Sequence, residues 1–226
     1  PCGLDWLIVD HYSCGNAWEK AVRPYCQRLG VIDDLARLHT CDLLIDANWV
    51  GNATASRYEQ STKSVTVKLL GPTYAFISKE YLEIRSVVRE RNGDAQRIFV
   101  YFGGSDVREL TRLTLRVLSS DVFSHLDVDV VIGATAVNRD AVRHCATMRP
   151  RTIVHENLTS LAPLLAAADL AIGAVGGTTW ERMYLGVPTV ATILADNQRE
   201  IGNALAAAEL LCPLDDAASV NAASLT

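Results

Sequence analysis

The sequence predicts an α/β protein of doubly wound parallel sheets, arranged in two parts. Three observations carry this. Short apolar runs alternate with helix-length segments. Several of those runs are continuous in apolar residues, the pattern of strands covered on both faces. One polar, charged stretch, Arg89-Glu90-Arg91-Asn92-Gly93-Asp94-Ala95-Gln96, interrupts the order as a linker or surface loop does.

Taken from the start, Leu7–Val9 within Asp5–Asp10 reads as a first buried strand. Val31-Ile32 before Asp33-Asp34 is a second strand end, and Leu43–Ile45 is a further strand. The pattern up to residue 90 is short and irregular. Beyond it, strands are expected at Ile98–Phe102, Val128–Ile132, Thr152–Val154, Leu170–Ile172 and Thr189–Ile193. Helices are expected at Glu109–Ser119, Arg139–Met148, Ser160–Ala168, Thr178–Leu185 and Asn197–Leu210. The resulting division is an N-terminal part, 1–90, and a more complete C-terminal domain, 97–226. The chain begins at Pro1 almost within a strand and ends at Thr226 within what reads as another helix, Ala217–Leu225. It is therefore read as a fragment. Its first sheet would lack at least one βα unit, which leaves apolar surface uncovered and prone to aggregate.

The 226 residues are enough to bury a core without staples. Hydrophobic residues at 49% and charged residues at 21% exclude disorder of the chain as a whole. The net charge of -5 carries no basic excess for nucleic acid or an anionic membrane surface. No apolar stretch reaches the roughly 18 residues that span a bilayer, and no signal peptide is visible. The six cysteines, Cys2, Cys14, Cys26, Cys41, Cys145 and Cys212, form no C-x-x-C pair and no zinc spacing. They read as reduced thiols of a cytoplasmic protein without a metal site.

Four places can carry chemistry. In Phe102-Gly103-Gly104-Ser105-Asp106 a strand delivers a glycine turn into a helix, at the end of the sheet where open α/β folds bind ligands. Ser105 or Asp106 equally serves as a helix cap there. In Gly176-Gly177-Thr178-Thr179-Trp180-Glu181 another strand ends in glycines. Two hydroxyls can meet phosphate oxygens, and the Glu181 carboxylate can accept from a sugar diol. The same spacing fits a capping box of Thr178 and Glu181. The pattern is neither a Walker A loop nor G-x-G-x-x-G. In Ala195-Asp196-Asn197-Gln198, amides at a strand end can hold sugar hydroxyl or acetamido groups, with Asp196 a competing cap. In Val9-Asp10-His11-Tyr12, strand alternation puts Asp10 and Tyr12 on one face and His11 on the other, so His11 is read as structural.

Eight segments occur in order: DWLIVDHY from Asp5, VIDDL from Val31, CDLLIDAN from Cys41, LGPTY from Leu70, FGGSD from Phe102, ADLAI from Ala168, GGTTWE from Gly176 and ADNQ from Ala195. Together they resemble the UDP-sugar hydrolases of pseudaminic acid biosynthesis, and more distantly the MurG glycosyltransferase. The resemblance implies a GT-B architecture of two Rossmann-like domains, the N-terminal one incomplete here. It implies a monomeric enzyme with no cofactor, acting on a UDP-linked diacetamido-trideoxy sugar for a bacterial glycan such as that of flagellin. Gly103, Gly104, Ser105, Gly176, Gly177, Thr178 and Thr179 would hold the diphosphate. Glu181 would bind the ribose, and Asn157 and Leu158 would flank the uracil. Tyr12 and Asn197 are cast as catalytic, Tyr12 toward sugar or attacking water and Asn197, with Gln198, toward the sugar. The general base of these hydrolases is a His in a glycine-rich turn upstream of the segment matched by DWLIVDHY. On that expectation the chain alone binds UDP without turning over. A GT-B glycosyltransferase and a non-catalytic UDP-binding module are the alternatives.

Overall fold

The computed structural model describes residues 3–63, 65–106 and 108–214. The chain divides into two compact units, Pro1–Phe76 and Ile77–Thr226. The expected helix Ala217–Leu225 lies outside the described residues.

The first unit contains strand β1 (Leu4–Val9), helix α1 (Asn16–Val22) and strands β2 (Cys26–Ile32), β3 (Leu43–Asp46) and β4 (Val67–Leu70). They form one parallel sheet in the order β1-β2-β3-β4. Leu29, Val31, Leu44 and Tyr58 make its core. Strand β1 lies at the sheet edge and shows the period-two pattern of a half-covered strand. Leu4, Trp6 and Ile8 on one of its faces are 53%, 50% and 53% exposed.

Strand β1 stops at Val9, so residues 10–12 lie in a loop and the alternation applied to them above does not hold. His11 is nonetheless tied locally, its Nδ1 accepting from the Ser13 N–H at 3.1 Å.

Asp33 does more than end a strand. It is 3% exposed and belongs to a buried ionic network. His39 Nδ1 lies 2.6 Å from Glu19 Oε1, and its Nε2 lies 3.2 Å from Asp33 Oδ2. Arg37 pairs with Asp33 at 2.6 Å, and Arg57 with Asp46 at 3.0 Å. The Tyr58 hydroxyl lies 3.0 Å from Asp33 Oδ2 and 3.1 Å from Asp46 Oδ2. Burial pushes the His39 pKa down, but its bonds to Asp33 and Glu19 outweigh this and raise it to about 9. Burial also opposes ionisation of Asp33, yet His39 and Arg37 hold its carboxyl well below the usual range.

The second unit begins with helix α2 (Lys79–Arg85) and continues β5 (Arg97–Tyr101), α3 (Leu110–Leu118), β6 (Asp127–Ile132), α4 (Arg139–Thr147), β7 (Thr152–Glu156), α5 (Ala162–Ala167), β8 (Leu170–Ala174), α6 (Thr178–Tyr184), β9 (Thr189–Thr192), α7 (Arg199–Ala207) and β10 (Cys212–Pro213). Its six strands are parallel, in the order β7-β6-β5-β8-β9-β10. The chain winds outward one way from β5 and the other way from β8, which is double winding. Continuous apolar runs follow directly. Ile98 and Val100 of β5 pack with Leu115 and Val142 on one face, while Phe99 packs with Tyr81, Leu165 and Leu185 on the other. Residue alternation thus buries Ile98, Phe99 and Val100, with Arg97 and Tyr101 half-buried at the strand's ends.

The polar stretch 89–96 lies inside this second unit rather than between the two. Arg91 Nε donates to the Ala168 carbonyl at 2.7 Å, and its Nη1 donates to that of Leu185 at 2.8 Å. Arg89 pairs with Asp169. The charges that suggest a linker are the groups that fasten the stretch down, with α2 carried ahead of it.

His39 yields a prediction whose sign is fixed. Its folded pKa of about 9 exceeds its ordinary value of 6.5, so its stabilisation is complete below pH 6.5 and is lost as pH rises through 9. The loss is on the order of 3 kcal/mol. Denaturant unfolding followed at the tryptophans of the first unit should show this decline, and His39→Gln should flatten it. A wild-type profile without decline would show that His39 is neutral in the fold.

Candidate functional site

The strand order reverses between β5 and β8, and the carboxyl end of an open sheet at such a reversal is where a crevice opens. Both glycine turns singled out in the sequence lie there. Leaving β5, Gly103 takes φ +91°, a conformation few residues other than glycine adopt. Gly133, at the end of β6, lets this turn sit close: a Cβ on it would lie 2.4 Å from the Gly103 carbonyl oxygen and 2.3 Å from that of Gly104. The Gly104 carbonyl also accepts from the Thr135 N–H at 3.0 Å.

Leaving β8, the chain passes through Gly176 and Gly177 into α6. Gly177 occupies the cap position and no side chain caps the helix, so the Thr178–Glu181 capping box is not formed. Thr179 is 1% exposed. Its Oγ1 accepts from the Gly176 N–H at 3.0 Å and from Arg182 Nη2 at 3.0 Å. This hydroxyl builds the loop instead of facing the cavity, unlike the role read from the sequence. Arg182 is fully buried and also donates to the Ala174 carbonyl at 2.7 Å. Burial lowers its pKa to about 10.

The two turns border a cavity of about 490 Å³ whose lining includes Gly103, Gly104, Ser105, Gly177, Thr178 and Gln198. A second cavity of about 620 Å³ is bordered by Tyr81, Gly133, Asn157, Leu158 and Glu181. Tyr101 and Thr178 line both, so the two adjoin. Asn157 has φ +53°, which Asn tolerates, and this turns the chain off β7 beside the second cavity. Burial raises the Glu181 carboxyl above its usual range, opposed by the neighbouring Tyr81 hydroxyl and the charge of Arg182.

The other candidates fall as follows. Asp106 caps α3 from outside the cap position, its carboxylate accepting from the Leu110 N–H at 2.9 Å and the Thr111 N–H at 3.1 Å. Asp196–Gln198 form a 3-10 turn ahead of α7, with Ala195 in place of Asp196 at its cap. Gln198 lines the smaller cavity and accepts from the Leu194 N–H at 2.8 Å, while Asn197 is not among the lining residues. Tyr12 belongs to the first unit. It is exposed, and its hydroxyl donates to Asp34 Oδ2 at 3.0 Å. The sequence reading missed Gly133, Tyr81 and Arg182. A glycine directly after the strand Val128–Ile132 was the available signal for the first; a lone Tyr or Arg in an amphipathic segment gave none.

Among the described residues, no group of three His, Cys, Asp or Glu side chains is arranged to hold a metal ion. Among them no helix is long and apolar enough to cross a membrane.

The two parallel sheets, one of them reversing its strand order at a crevice, are those of the GT-B fold. Comparison with solved structures agrees on the fold. Acinetobacter baumannii MurG superposes with a TM-score of 0.61 at 15% identity, covering 98% of this chain and 62% of that one. The glycosyltransferase of kitacinnamycin gives 0.52 at 17% identity, over 82% and 44% of the two chains. The pneumococcal O-GlcNAc transferase GtfA gives 0.51 at 10% identity, over 87% and 44%. Among curated proteins, Uncharacterized protein MJ1062 of Methanocaldococcus jannaschii is 26% identical over 204 residues, 87% of this chain. The spore coat polysaccharide biosynthesis protein SpsG of Bacillus subtilis is 26% identical over 130 residues, 57% of this chain. The matched regions are 42% and 38% of those relatives' own lengths. No protein-family profile matches the chain.

Gly133 supplies the test of this geometry. Gly133→Ala forces a methyl into the backbone of the Gly103-Gly104 turn. It should destabilise the second unit by about 1–3 kcal/mol, the scale of overpacking, with backbone shifts by NMR centred on residues 103–105. An unperturbed turn would show that the close approach is not needed.

Proposed function

We propose that the second unit is a UDP-binding domain and that the whole protein cleaves the bond between a sugar and UDP. The observation that carries this reading is the adjacency of the two cavities through Tyr101 and Thr178. A glycine-built cradle of backbone groups lies next to a pocket bordered by a carboxylate. Fixed N–H dipoles stabilise a diphosphate, both bound and as a leaving group. A carboxylate accepts from both hydroxyls of a ribose. Asn157 and Leu158 border the larger cavity, where the base would lie. Thr178 lines both cavities, and Gln198, which lines the smaller one, would face the sugar.

Water as the attacking group is supported by the eight ordered segments, which resemble UDP-sugar hydrolases. The reading assigns Tyr12 and Asn197 to the sugar and the attacking water. Transfer to an acceptor is supported by the fold neighbours, MurG and GtfA, the latter solved with UDP and GlcNAc. SpsG, a polysaccharide-biosynthesis protein by name, supports a role in a surface glycan under either chemistry.

Calorimetry tests the binding reading. UDP should bind this chain in the micromolar range, with UMP and ADP markedly weaker. Glu181→Ala should weaken UDP by about 1–3 kcal/mol, the scale of a lost partner in a hydrogen-bonded site. A folded chain that ignores UDP would overturn it. Incubating the full-length protein with a UDP-diacetamido sugar separates the chemistries: free sugar without acceptor identifies a hydrolase, and turnover only with acceptor identifies a transferase.

A further inference from the structure

Arg182 is the largest side chain that the described residues bury completely. A buried guanidinium is costly, and an apolar residue of similar volume serves a core as well or better. Arg149, also buried, spends all three of its nitrogens, on the carbonyls of Leu118, Pro150 and Phe123 among others. Arg182 does not. Its Nε and Nη1 have no hydrogen-bond partner among the described residues. Its hydrogen bonds come from Nη2, and both go to one short segment: the Ala174 carbonyl at 2.7 Å and Thr179 Oγ1 at 3.0 Å.

Between Ala174 and Thr179 lies the Gly176-Gly177 wall of the smaller cavity. Thr179 Oγ1 also accepts from the Gly176 N–H at 3.0 Å, so one hydroxyl oxygen joins the guanidinium to the middle of the turn. The glycines have no side chains with which to hold that turn. A Cβ on Gly177 would meet nothing within 4 Å, and one on Gly176 only Gln198 Nε2 at 3.7 Å. Glycine also loses the most backbone freedom when fixed. Strand β8 makes room for the guanidinium, since a Cβ on its Gly173 would lie 2.7 Å from Nη1.

We infer that Arg182 is a positioning residue for the phosphate end of the ligand: its Nη2 ties Ala174 to Thr179 and so holds the Gly176-Gly177 segment in the shape that receives a diphosphate. This rests on the UDP reading of the site. A cradle of backbone groups binds tightly only if its shape is fixed before the ligand arrives. A planar fork with several donors fixes a carbonyl and a hydroxyl together, which an aliphatic side chain of the same volume cannot do.

Arg182→Met keeps an unbranched buried side chain and removes every donor. We expect UDP affinity to fall about ten-fold, the scale of one hydrogen bond to a charged group. Affinity for uridine, followed by NMR titration, should change much less, because the nucleoside does not reach the turn. The preference for UDP over uridine therefore narrows, which a general loosening of the domain would not produce. Thr179→Val removes the oxygen that Arg182 and Gly176 share and should narrow it likewise. Thr179→Ser, which keeps that oxygen, should recover most of what Thr179→Val loses. In the double variant of Arg182→Met and Thr179→Val the two losses should combine to less than their product, since both break one bond. The Thr179 pair reads the same bond if Arg182→Met fails to fold. Equal losses for UDP and uridine, or a Thr179→Val chain that keeps its preference for UDP, would reduce Arg182 to a core staple. If the wild-type chain binds no UDP, the nucleotide reading fails and this role falls with it, whereas UDP binding with an unmoved preference in the variants overturns the Arg182 role alone.

Discussion

The reversal of strand order between β5 and β8 is the constraint on which the second unit rests. Two chains leaving adjacent strands for opposite faces must part at the sheet's carboxyl edge, and loops from both sides then surround the gap. Filling that gap with side chains would close it. The sequence instead places glycine at each close approach. Gly133 admits the Gly103-Gly104 backbone, and Gly173 lies where a Cβ would meet the Tyr101 carbonyl oxygen at 2.3 Å and Arg182 Nη1 at 2.7 Å. The cradle is therefore made of backbone, with the side chains that support it beneath.

Buried charge is handled in two ways. In the first, His39 is bracketed by Glu19 and Asp33, and Asp46 by Arg57, so each ion has an opposite partner. Such networks fix geometry because a slipped partner strands a charge in low dielectric. In the second, Arg182 is buried with donors spent on the Ala174 carbonyl and the Thr179 hydroxyl, and its Nε and Nη1 have no hydrogen-bond partner among the described residues. Its bonds go to the very loop that borders the smaller cavity, so the loop's shape and the buried cation are set together.

How much of this was legible follows from what each signal depends on. The strands of the second unit show as continuous apolar runs because helices cover both faces, and a run of that kind needs no tertiary knowledge to find. Helix α1, strand β4 and helix α2 were not read: each is short, and their hold comes from packing that leaves little periodicity. The boundary near residue 90 was drawn on charge, but Arg89 and Arg91 are anchored to Asp169 and to carbonyls of the second unit. Composition cannot tell a solvated charge from one with a partner far along the chain. For the same reason, the glycine turns were visible while Tyr81 was not: glycines announce backbone geometry locally, whereas Tyr81 is set by packing with Leu165 and Leu185, far along the chain.

The strap formed by Arg91 has a practical side. A C-terminal piece started at residue 97, where the sequence suggests a domain begins, would discard α2, its buried Tyr81 and the guanidinium that occupies the Ala168 and Leu185 carbonyls. It would expose Leu165 and Leu185 to water and open one wall of the larger cavity. A piece started at residue 77 keeps all of these in place. For this chain, the choice of the first codon decides whether an isolated domain carries an intact pocket.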